Sequence, residues 1–278
     1  MTVQTALLQG VKLLEDAGVG VPRLTAEVLL AHALHRDRVY LIAHSEHVLS
    51  ELEWLHYGRY LHERMQGKPT QYITGRQEFY GRDFRVAPGV LIPRPETEHV
   101  VEMALRLAPN ATRILDVGTG SGALAVTLRL EAAAHVVAGC DISPAALTVA
   151  ARNADLLAAP VQLVCCDLLA PFAAASMDLI VSNPPYVPES DAPGLQREVR
   201  DWEPHVALFG GATGLEIYER LARDAPRVLR PGGWLIVELG FNTAERVAAM
   251  FSGAWHNVEI APDLAGIPRV LAAQCSSR

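Results

Sequence analysis

The chain has 278 residues, half of them hydrophobic, and a formal net charge of −7. This length can bury one sizeable α/β domain and a smaller second domain without disulfides or structural metals. Residues 1–85 carry ten basic and ten acidic side chains, and residues 86–278 carry 14 basic and 21 acidic ones. Neither part has the basic excess of a strong nucleic-acid binder, so we expect no stable nucleic-acid binding.

The termini, cysteines and histidines indicate the compartment. No basic stretch with an apolar core and cleavage site opens the chain, and no apolar segment approaches 18 residues. The four cysteines lack CxxC spacing, and Cys165 and Cys166 lie in an apolar run typical of a strand. The ten histidines lack metal-ligand spacing. We therefore expect a cytoplasmic protein with reduced thiols, no membrane partner and no metal.

Residues 1–70 have the pattern of a small helical bundle. Ser50 followed by Glu53 is a capping-box signature, and Gly67-Lys68-Pro69 ends the helix that it begins. Every chemical motif described below lies after residue 93, so we expect this first domain to recognise the substrate. The alternative is a simple cap that stabilises the remainder.

Residues 71–92 are predicted to form a β-hairpin linker. The strand-like pieces are Tyr72-Ile73-Thr74 and Asp83-Phe84-Arg85-Val86, which Gly75 and Gly81 separate.

From residue 93 to 278 apolar strands alternate with helical stretches, the pattern of a doubly wound α/β domain with helices on both faces of a parallel sheet. Seven strands are predicted, at residues 113–117, 135–141, 161–166, 178–182, 234–239, 258–261 and 269–273.

The first of these strands runs into the glycine turn Gly118-Thr119-Gly120-Ser121-Gly122. Such a turn lets backbone amides approach a dinucleotide pyrophosphate or S-adenosylmethionine, so on its own it leaves both cofactors open. Asp141 ends the next strand and can accept hydrogen bonds from both ribose hydroxyls, although it could instead cap the helix at Ser143. Asp167 closes the third strand, within reach of an adenine amino group.

Asn183-Pro184-Pro185-Tyr186 follows the apolar run 177–182, where a buried strand ends. The asparagine amide offers a carbonyl acceptor, two prolines stiffen the turn and remove backbone donors, and the tyrosine adds an aromatic face. These are the parts needed to hold a planar NH₂ group, a poor nucleophile, against an electrophile. The alternative is a strand-ending turn with a surface tyrosine.

The fourth strand decides between the two cofactors. A dehydrogenase needs a proton-transfer residue beside the hydride site, whereas this chain places the Asn183 motif there. The combination favours methyl transfer from S-adenosylmethionine.

Further segments, together with these motifs, resemble a known protein family. The chain resembles the bacterial peptide-chain release factor glutamine methyltransferases, a class I family dependent on S-adenosylmethionine. The resemblance is carried by Gln71–Gly75, Glu78–Gly81, Pro88–Glu98, Glu203-Pro204, Ala207–Gly211 and Leu229–Gly233.

The resemblance implies a Rossmann-like seven-stranded domain that methylates the side-chain amide nitrogen N5 of the GGQ glutamine in class I release factors, supporting translation termination. S-adenosylhomocysteine would be the product. By the same resemblance residues 118–122 and Asp141 hold the cofactor, Asn183 also contacts it, and residues 183–186 grip the glutamine. The chain departs from the family at Leu168, where an aromatic residue beside the adenine is common, and at Thr213, where an acidic residue is common. Leu168 still offers the cofactor an apolar contact.

In this reaction we expect Asn183 and the Pro184 carbonyl to hold the two amide hydrogens while Tyr186 packs on the amide plane. Glu96 and Thr97 would neighbour the amino-acid end of the cofactor, or would simply begin a helix after Pro95. No strong general base is needed, because the methylated nitrogen becomes acidic.

Two rival functions remain at this stage. An adenine-N6 or other nucleic-acid amino methyltransferase can use the same motif but needs a base-flipping surface. The acidic charge and the short stretch after Tyr186 disfavour it. The other rival is a non-catalytic binding protein of the same fold, which the intact glycine, acid and Asn183 positions disfavour.

Overall fold

The structure, a computed structural model, describes residues 1–276 and divides them into two compact units. The first unit comprises Met1–Arg76 together with Gln196–Trp202, and the second comprises the rest of the described chain. The last two residues of the predicted domain 93–278 lie outside the described residues.

Twelve α-helices lie in the described chain. In chain order they are α1 (Val3–Asp16), α2 (Pro22–Leu34), α3 (Arg38–Ala43), α4 (Glu51–Met65), α5 (Thr70–Thr74), α6 (Glu98–Leu107), α7 (Ala123–Glu131), α8 (Pro144–Leu156), α9 (Arg197–Trp202), α10 (His205–Leu208), α11 (Glu216–Val228) and α12 (Ala244–Ala248). Short 3₁₀ turns cover Pro95–Thr97 and Glu189–Gly194.

Nine strands lie in the same part of the chain. They are β1 (Arg76–Phe79), β2 (Arg82–Arg85), β3 (Arg113–Val117), β4 (Val136–Asp141), β5 (Gln162–Cys165), β6 (Met177–Ser182), β7 (Leu229–Glu238), β8 (Trp255–Pro262) and β9 (Pro268–Cys275).

The first unit is a helical bundle whose helix ends are set by local side-chain bonds. The predicted capping box is confirmed at α4, where Glu53 accepts from the Ser50 backbone N–H at 2.7 Å and the Ser50 hydroxyl accepts from the Glu53 N–H. Gly10 is required in α1 because a Cβ there would lie 1.9 Å from the Tyr57 hydroxyl.

The predicted linker region differs from the expectation in its first half. Tyr72-Ile73-Thr74 lies in the short helix α5, so the strand predicted there is wrong. Pro69 precedes this helix and Gly75 ends it with a left-handed φ of 73°, and these end signals outweigh the strand preference of the β-branched Ile73 and Thr74. The hairpin instead forms further along the chain, from β1 and β2.

The expected doubly wound sheet is confirmed in the second unit. Its seven strands lie in the order β5-β4-β3-β6-β7-β9-β8, with β3 to β7 parallel and β9 antiparallel to both of its neighbours. The strand β7 begins at Leu229, five residues before the predicted start, because Pro231-Gly232-Gly233 is accommodated within the strand rather than in a turn.

Alternate residues of the central strands serve two separate cores. Ile114 and Leu179 are buried in the core that includes helices α6 and α7, whereas Leu115 and Ile180 are buried in the core that includes α11. This period of two explains why these strands are continuous apolar runs, since both faces of the sheet are covered.

Candidate active site

The carboxyl ends of β3 and β6 form the centre of the site. These two strands pair in parallel, with Val117 opposite Ser182, so Gly118 and Asn183 leave the sheet side by side. From β3 the strand order runs to β4 and β5 on one side and to β6 and β7 on the other. Ligands of open parallel sheets bind at such a switch point.

The glycine turn is folded back onto the neighbouring strand. The backbone N–H groups of Gly118 and Thr119 both donate to the Cys140 carbonyl, at 2.8 and 2.9 Å. Gly118, Gly120 and Gly122 all have left-handed φ values between 55° and 83°, a conformation that other residues rarely adopt.

Asp116 holds this turn from the inside. Its carboxylate is buried and accepts from the Thr119 hydroxyl at 2.6 Å and from the Ala125 N–H at 3.1 Å. Burial raises the pKa of Asp116 to about 7. Its other oxygen has no hydrogen-bond partner among the described residues. Sequence reasoning did not single out Asp116, although an acid inside a buried apolar strand was an available signal.

Asp141 joins the glycine turn to the next helix. One carboxylate oxygen accepts from the Gly120 N–H and the other from the Ser143 N–H, both at 2.9 Å. The helix α8 is capped by the Ser143 hydroxyl, which accepts from the Ala146 N–H. Asp141 is therefore more than a helix cap, and each of its oxygens keeps a lone pair for another donor.

A cavity of about 180 Å³ opens at these strand ends. Of the predicted site residues, those that line it are Gly118, Gly120, Asp141, Asp167, Leu168, Asn183 and Pro185. The others do not line it, namely Thr119, Ser121, Gly122, Pro184 and Tyr186. Three of these serve the turn itself: Thr119 bonds Asp116, the Ser121 carbonyl accepts from Asn153, and a Cβ on Gly122 would press on α8 at 3.2 Å.

At the predicted adenine site, Arg220 pairs with Asp167, and two further apolar side chains line the cavity. Asp167 forms an ion pair with Arg220 at 2.7 Å, and both side chains are partly exposed. Ile142 and Val206 line the cavity although each is more than half exposed. No motif includes Ile142, Val206 or Arg220, although the first two lie next to residues that the sequence motifs do include.

The side chains of Asn183 and Tyr186 are hydrogen-bonded to residues that do not line the cavity. The Asn183 Nδ2 donates to the Thr97 hydroxyl oxygen at 3.0 Å. The Tyr186 hydroxyl donates to Glu238 at 3.4 Å, and burial raises the pKa of Tyr186. Thr97, which the sequence placed near the cofactor, instead bonds Asn183 and does not line the cavity.

Glu238 accepts hydrogen bonds from the hydroxyls of both Thr97 and Tyr186. It ends β7 with 1% of its surface exposed, and its Oε2 accepts from the Thr97 hydroxyl at 2.5 Å. Burial raises the pKa of Glu238 to about 7, although the hydrogen bond from Thr97 and the charge of Arg269 favour the carboxylate. No local sequence pattern marks Glu238, because its partners lie 52 and 141 residues away.

Three glycines allow the Asn183–Tyr186 backbone to pack closely. A Cβ on Gly210 would lie 2.4 Å from the Pro185 carbonyl oxygen, and one on Gly214 would lie 2.3 Å from that of Tyr186. A Cβ on Gly240 would lie 2.8 Å from the Tyr186 ring. The segment 207–211 is therefore part of the site's framework.

The residues present fit an adenosyl cofactor. A Cβ added to Gly118 meets no atom within 4 Å, and one added to Gly120 meets only its own turn at 3.9 Å, so the cavity side of the turn is open for a ligand. Asp141 has spare acceptor capacity at the cavity edge, and Asp116 has an unpaired oxygen beneath the turn. In the described residues no group of three or more His, Cys, Asp or Glu side chains could hold a metal ion.

Among residues 1–276 no helix is long and apolar enough to cross a membrane.

Comparison with known families finds two matches. Residues 5–75 match the family described as PrmC N-terminal domain, and residues 100–196 match the family described as Methyltransferase small domain.

Individual relatives match over nearly the whole chain. The chain is 48% identical to a release factor glutamine methyltransferase of Koribacter versatilis over 274 residues, 98% of each protein. It is 45% identical to a release factor glutamine methyltransferase of Geobacter sulfurreducens over 93% of this chain and 91% of that protein. Among solved structures, a Thermus thermophilus 16S rRNA N2 G1207 methyltransferase in complex with AdoMet and guanosine matches with a TM-score of 0.52. That match has 22% identity and covers 72% of this chain and 49% of the other, so it supports the fold alone.

Proposed function

Because this chain belongs to the family of release factor glutamine methyltransferases, we propose that it transfers the methyl group of S-adenosylmethionine to the side-chain amide nitrogen of the GGQ glutamine in peptide-chain release factors. The observation that carries the proposal is the position of Asn183. Asn183 borders the same cavity as Gly118, Gly120 and Asp141, which supports an amide acceptor and a nucleoside site at one place. The family favours a protein glutamine as the substrate over a nucleic-acid base.

The cavity residues divide into two groups by the ligand that they would hold. Gly118 and Gly120 would face the cofactor with backbone atoms, and Asp141 would accept from the ribose hydroxyls. Ile142, Leu168 and Val206 would contact the flat adenine ring. When bound, the cofactor supplies an electrophilic methyl group.

The substrate amide would be held by acceptors alone. Asn183 Oδ1 would accept one hydrogen of the glutamine NH₂ group and the Pro184 carbonyl the other, while Tyr186 packs on the amide plane. Since an amide nitrogen is a weak nucleophile, this alignment would supply most of the rate enhancement. The surplus proton would leave the nitrogen once that nitrogen has become cationic and acidic.

We further propose that the first unit recognises the release factor. Of the 18 large hydrophobic side chains exposed in the described chain, ten lie in residues 1–55 although this stretch is a fifth of the protein. Exposed apolar side chains that adjoin one another in a large patch mark surfaces that bind other proteins.

The function is tested with purified protein, labelled S-adenosylmethionine and a release factor. Label should enter the wild-type factor and be absent from a factor whose GGQ glutamine is replaced by alanine. Equal labelling of both factors, or transfer to DNA or RNA but not to the factor, would reject the proposal.

A further inference from the structure

We propose that Glu238 and Thr97 are positioning residues that fix the direction of the Asn183 side-chain amide, an inference that rests on the function proposed above. The two ends of a side-chain amide have nearly the same shape but opposite hydrogen-bonding character, so the surrounding network decides which end faces the substrate.

The orientation of the Asn183 amide depends first on Glu238, which accepts the hydroxyl hydrogen of Thr97. Its carboxylate is buried, and Oε2 accepts from the Thr97 hydroxyl at 2.5 Å while Oε1 accepts from the Tyr186 hydroxyl at 3.4 Å. Above its pKa of about 7 the Glu238 carboxylate is ionised and has no hydrogen to donate. The single hydroxyl hydrogen of Thr97 is therefore committed to Glu238.

The Thr97 hydroxyl oxygen then determines which end of the Asn183 amide faces it. With its hydrogen committed, the Thr97 oxygen can only accept, and it accepts from Asn183 Nδ2 at 3.0 Å. The NH₂ end of Asn183 must therefore face Thr97. Its carbonyl oxygen is left as the acceptor for a ligand in the cavity that Asn183 lines.

A reversed Asn183 would place its NH₂ group opposite the NH₂ group of a bound glutamine. Two donors would then face each other, and the glutamine nitrogen would lose one of its two anchors. Misalignment of a reacting atom by about 1 Å can cost ~10²-fold in rate. Control of this one torsion is thus a control of turnover.

Thr97 and Glu238 are shielded from solvent, and the Glu238 backbone is anchored by a hydrogen bond. Thr97 is 5% exposed and Glu238 is 1% exposed, and neither borders the cavity. The Tyr218 hydroxyl donates to the Glu238 backbone carbonyl at 2.7 Å and accepts from the Gly240 N–H at 3.2 Å. Thr97 therefore acts on the substrate only through Asn183, whereas Glu238 acts through Asn183 and, by its hydrogen bond from the Tyr186 hydroxyl, through Tyr186.

Matched substitutions at Thr97 test the relay. Thr97→Val has nearly the same shape but lacks the hydroxyl, whereas Thr97→Ser keeps it. We expect Thr97→Val to lower kcat about tenfold or more with unchanged affinity for S-adenosylmethionine, and Thr97→Ser to stay within about threefold of wild type. An unchanged kcat in Thr97→Val, or a loss of cofactor affinity equal to the loss of kcat, would overturn the inference.

Glu238→Gln tests the direction itself. Its side-chain NH₂ group can donate to Thr97, which frees the Thr97 hydroxyl to donate to the Asn183 carbonyl oxygen and reverses the amide. We expect a similar loss of kcat. A folded Glu238→Gln variant with wild-type kcat would contradict the proposed control by Glu238.

A second measurement needs neither cofactor nor substrate. In ¹⁵N–¹H spectra of the full-length protein, the Asn183 side-chain NH₂ signals are identified by their loss in Asn183→Asp. We expect these signals to shift in Thr97→Val and Glu238→Gln and to be retained in Thr97→Ser; unchanged signals in both of the former would reject the network. Failure of the wild type to methylate a release factor would reject the proposed function and leave this measurement to decide the positioning role.

Discussion

Asp141 has two tasks, because it binds two backbone amides and still offers lone pairs to a ligand. Removing it leaves the Gly120 and Ser143 amides without their acceptors and takes away the proposed ribose contacts.

We predict that Asp141→Ala weakens S-adenosylmethionine binding by about 1–3 kcal/mol, the scale for unmet buried hydrogen-bonding groups. Titration calorimetry measures this change, and Asp155→Ala on the exposed side of the adjacent helix is the matched control. Unchanged affinity in a folded Asp141→Ala protein would remove the residue from the cofactor site.

Asn183 should separate chemistry from cofactor binding. We predict that Asn183→Ala lowers turnover about 10²-fold or more, because the lost acceptor aligns the reacting nitrogen, while cofactor affinity falls much less. Single-turnover methylation and calorimetry on the same preparation give the two quantities. Near-normal turnover would refute the role, and an equal loss of both would make Asn183 mainly a cofactor residue.

At the scale of elements, the turn after β7 positions the one after β6. Gly240 follows the end of β7 and leaves space for the Tyr186 ring, whose hydroxyl bonds to Glu238 on the same strand. One strand end therefore supplies both the space and the hydrogen-bond acceptor for the aromatic residue of the other.

We predict that Gly240→Ala displaces Tyr186 and lowers turnover about tenfold or more, since its Cβ would lie 2.8 Å from the ring. Gly58→Ala is the control, because it lies in α4 with no neighbour within 4 Å of the added Cβ. Steady-state methylation rates compare the two variants, and equal rates would show that the ring adapts without loss.

The outer face of α4 offers a test of substrate recognition. Leu52 and Leu55 are three residues apart on this helix and are 60% and 65% exposed. We predict that the double variant Leu52→Ser, Leu55→Ser reduces kcat/KM for an intact release factor but not for a short GGQ peptide, because only the intact factor has remote contacts. Leu156→Ser, at an exposed leucine of the second unit, is the control. An equal loss on both substrates, or no loss on the intact factor, would reject this face as a recognition surface.

A deletion of the first unit is a poor substitute for this experiment. The helix α9 belongs to that unit, although it begins at Arg197, far along the chain from Arg76. Within the unit Arg64 forms an ion pair with Glu198 of α9. Deleting residues 1–76 would leave α9 without the rest of its unit, including Arg64.

At the scale of the whole molecule, two buried acids link stability to pH. Burial raises the pKa of both Asp116 and Glu238 to about 7, from ordinary values of 3.8 and 4.5. Between about pH 4.5 and 7 the folded state therefore binds more protons than the unfolded state, so these groups stabilise the protein at the acidic end and lose that contribution as pH rises.

We predict that the free energy of unfolding contributed by these acids declines from pH 5 to pH 7.5, and that Asp116→Asn makes the decline shallower. Urea denaturation across this range measures the slopes. Burial lowers the pKa of His32, which opposes the decline, but this histidine is common to both proteins and cancels in the comparison. Equal slopes would show that Asp116 does not carry the raised pKa.

The sequence determined most of the architecture because its signals are local. Strand periodicity, the capping box at Ser50 and the motif at residues 118–122 each depend on neighbours within one element, and the structure has the sheet and the helix where these patterns predict them. The failure at Tyr72–Thr74 is also local, since strand preference was weighed above the end signals of a five-residue helix.

Only the tertiary structure decided how the site is held. Pairing of β3 with β6 brings Gly118 beside Asn183, and the chain separation of 141 residues between Thr97 and Glu238 is closed by packing of α6 on β7. The meaning of a buried acid depends on which donors surround it, and those donors come from distant segments. Chemistry could thus be inferred from residue types in order, whereas the direction of the Asn183 amide follows only from the assembled network.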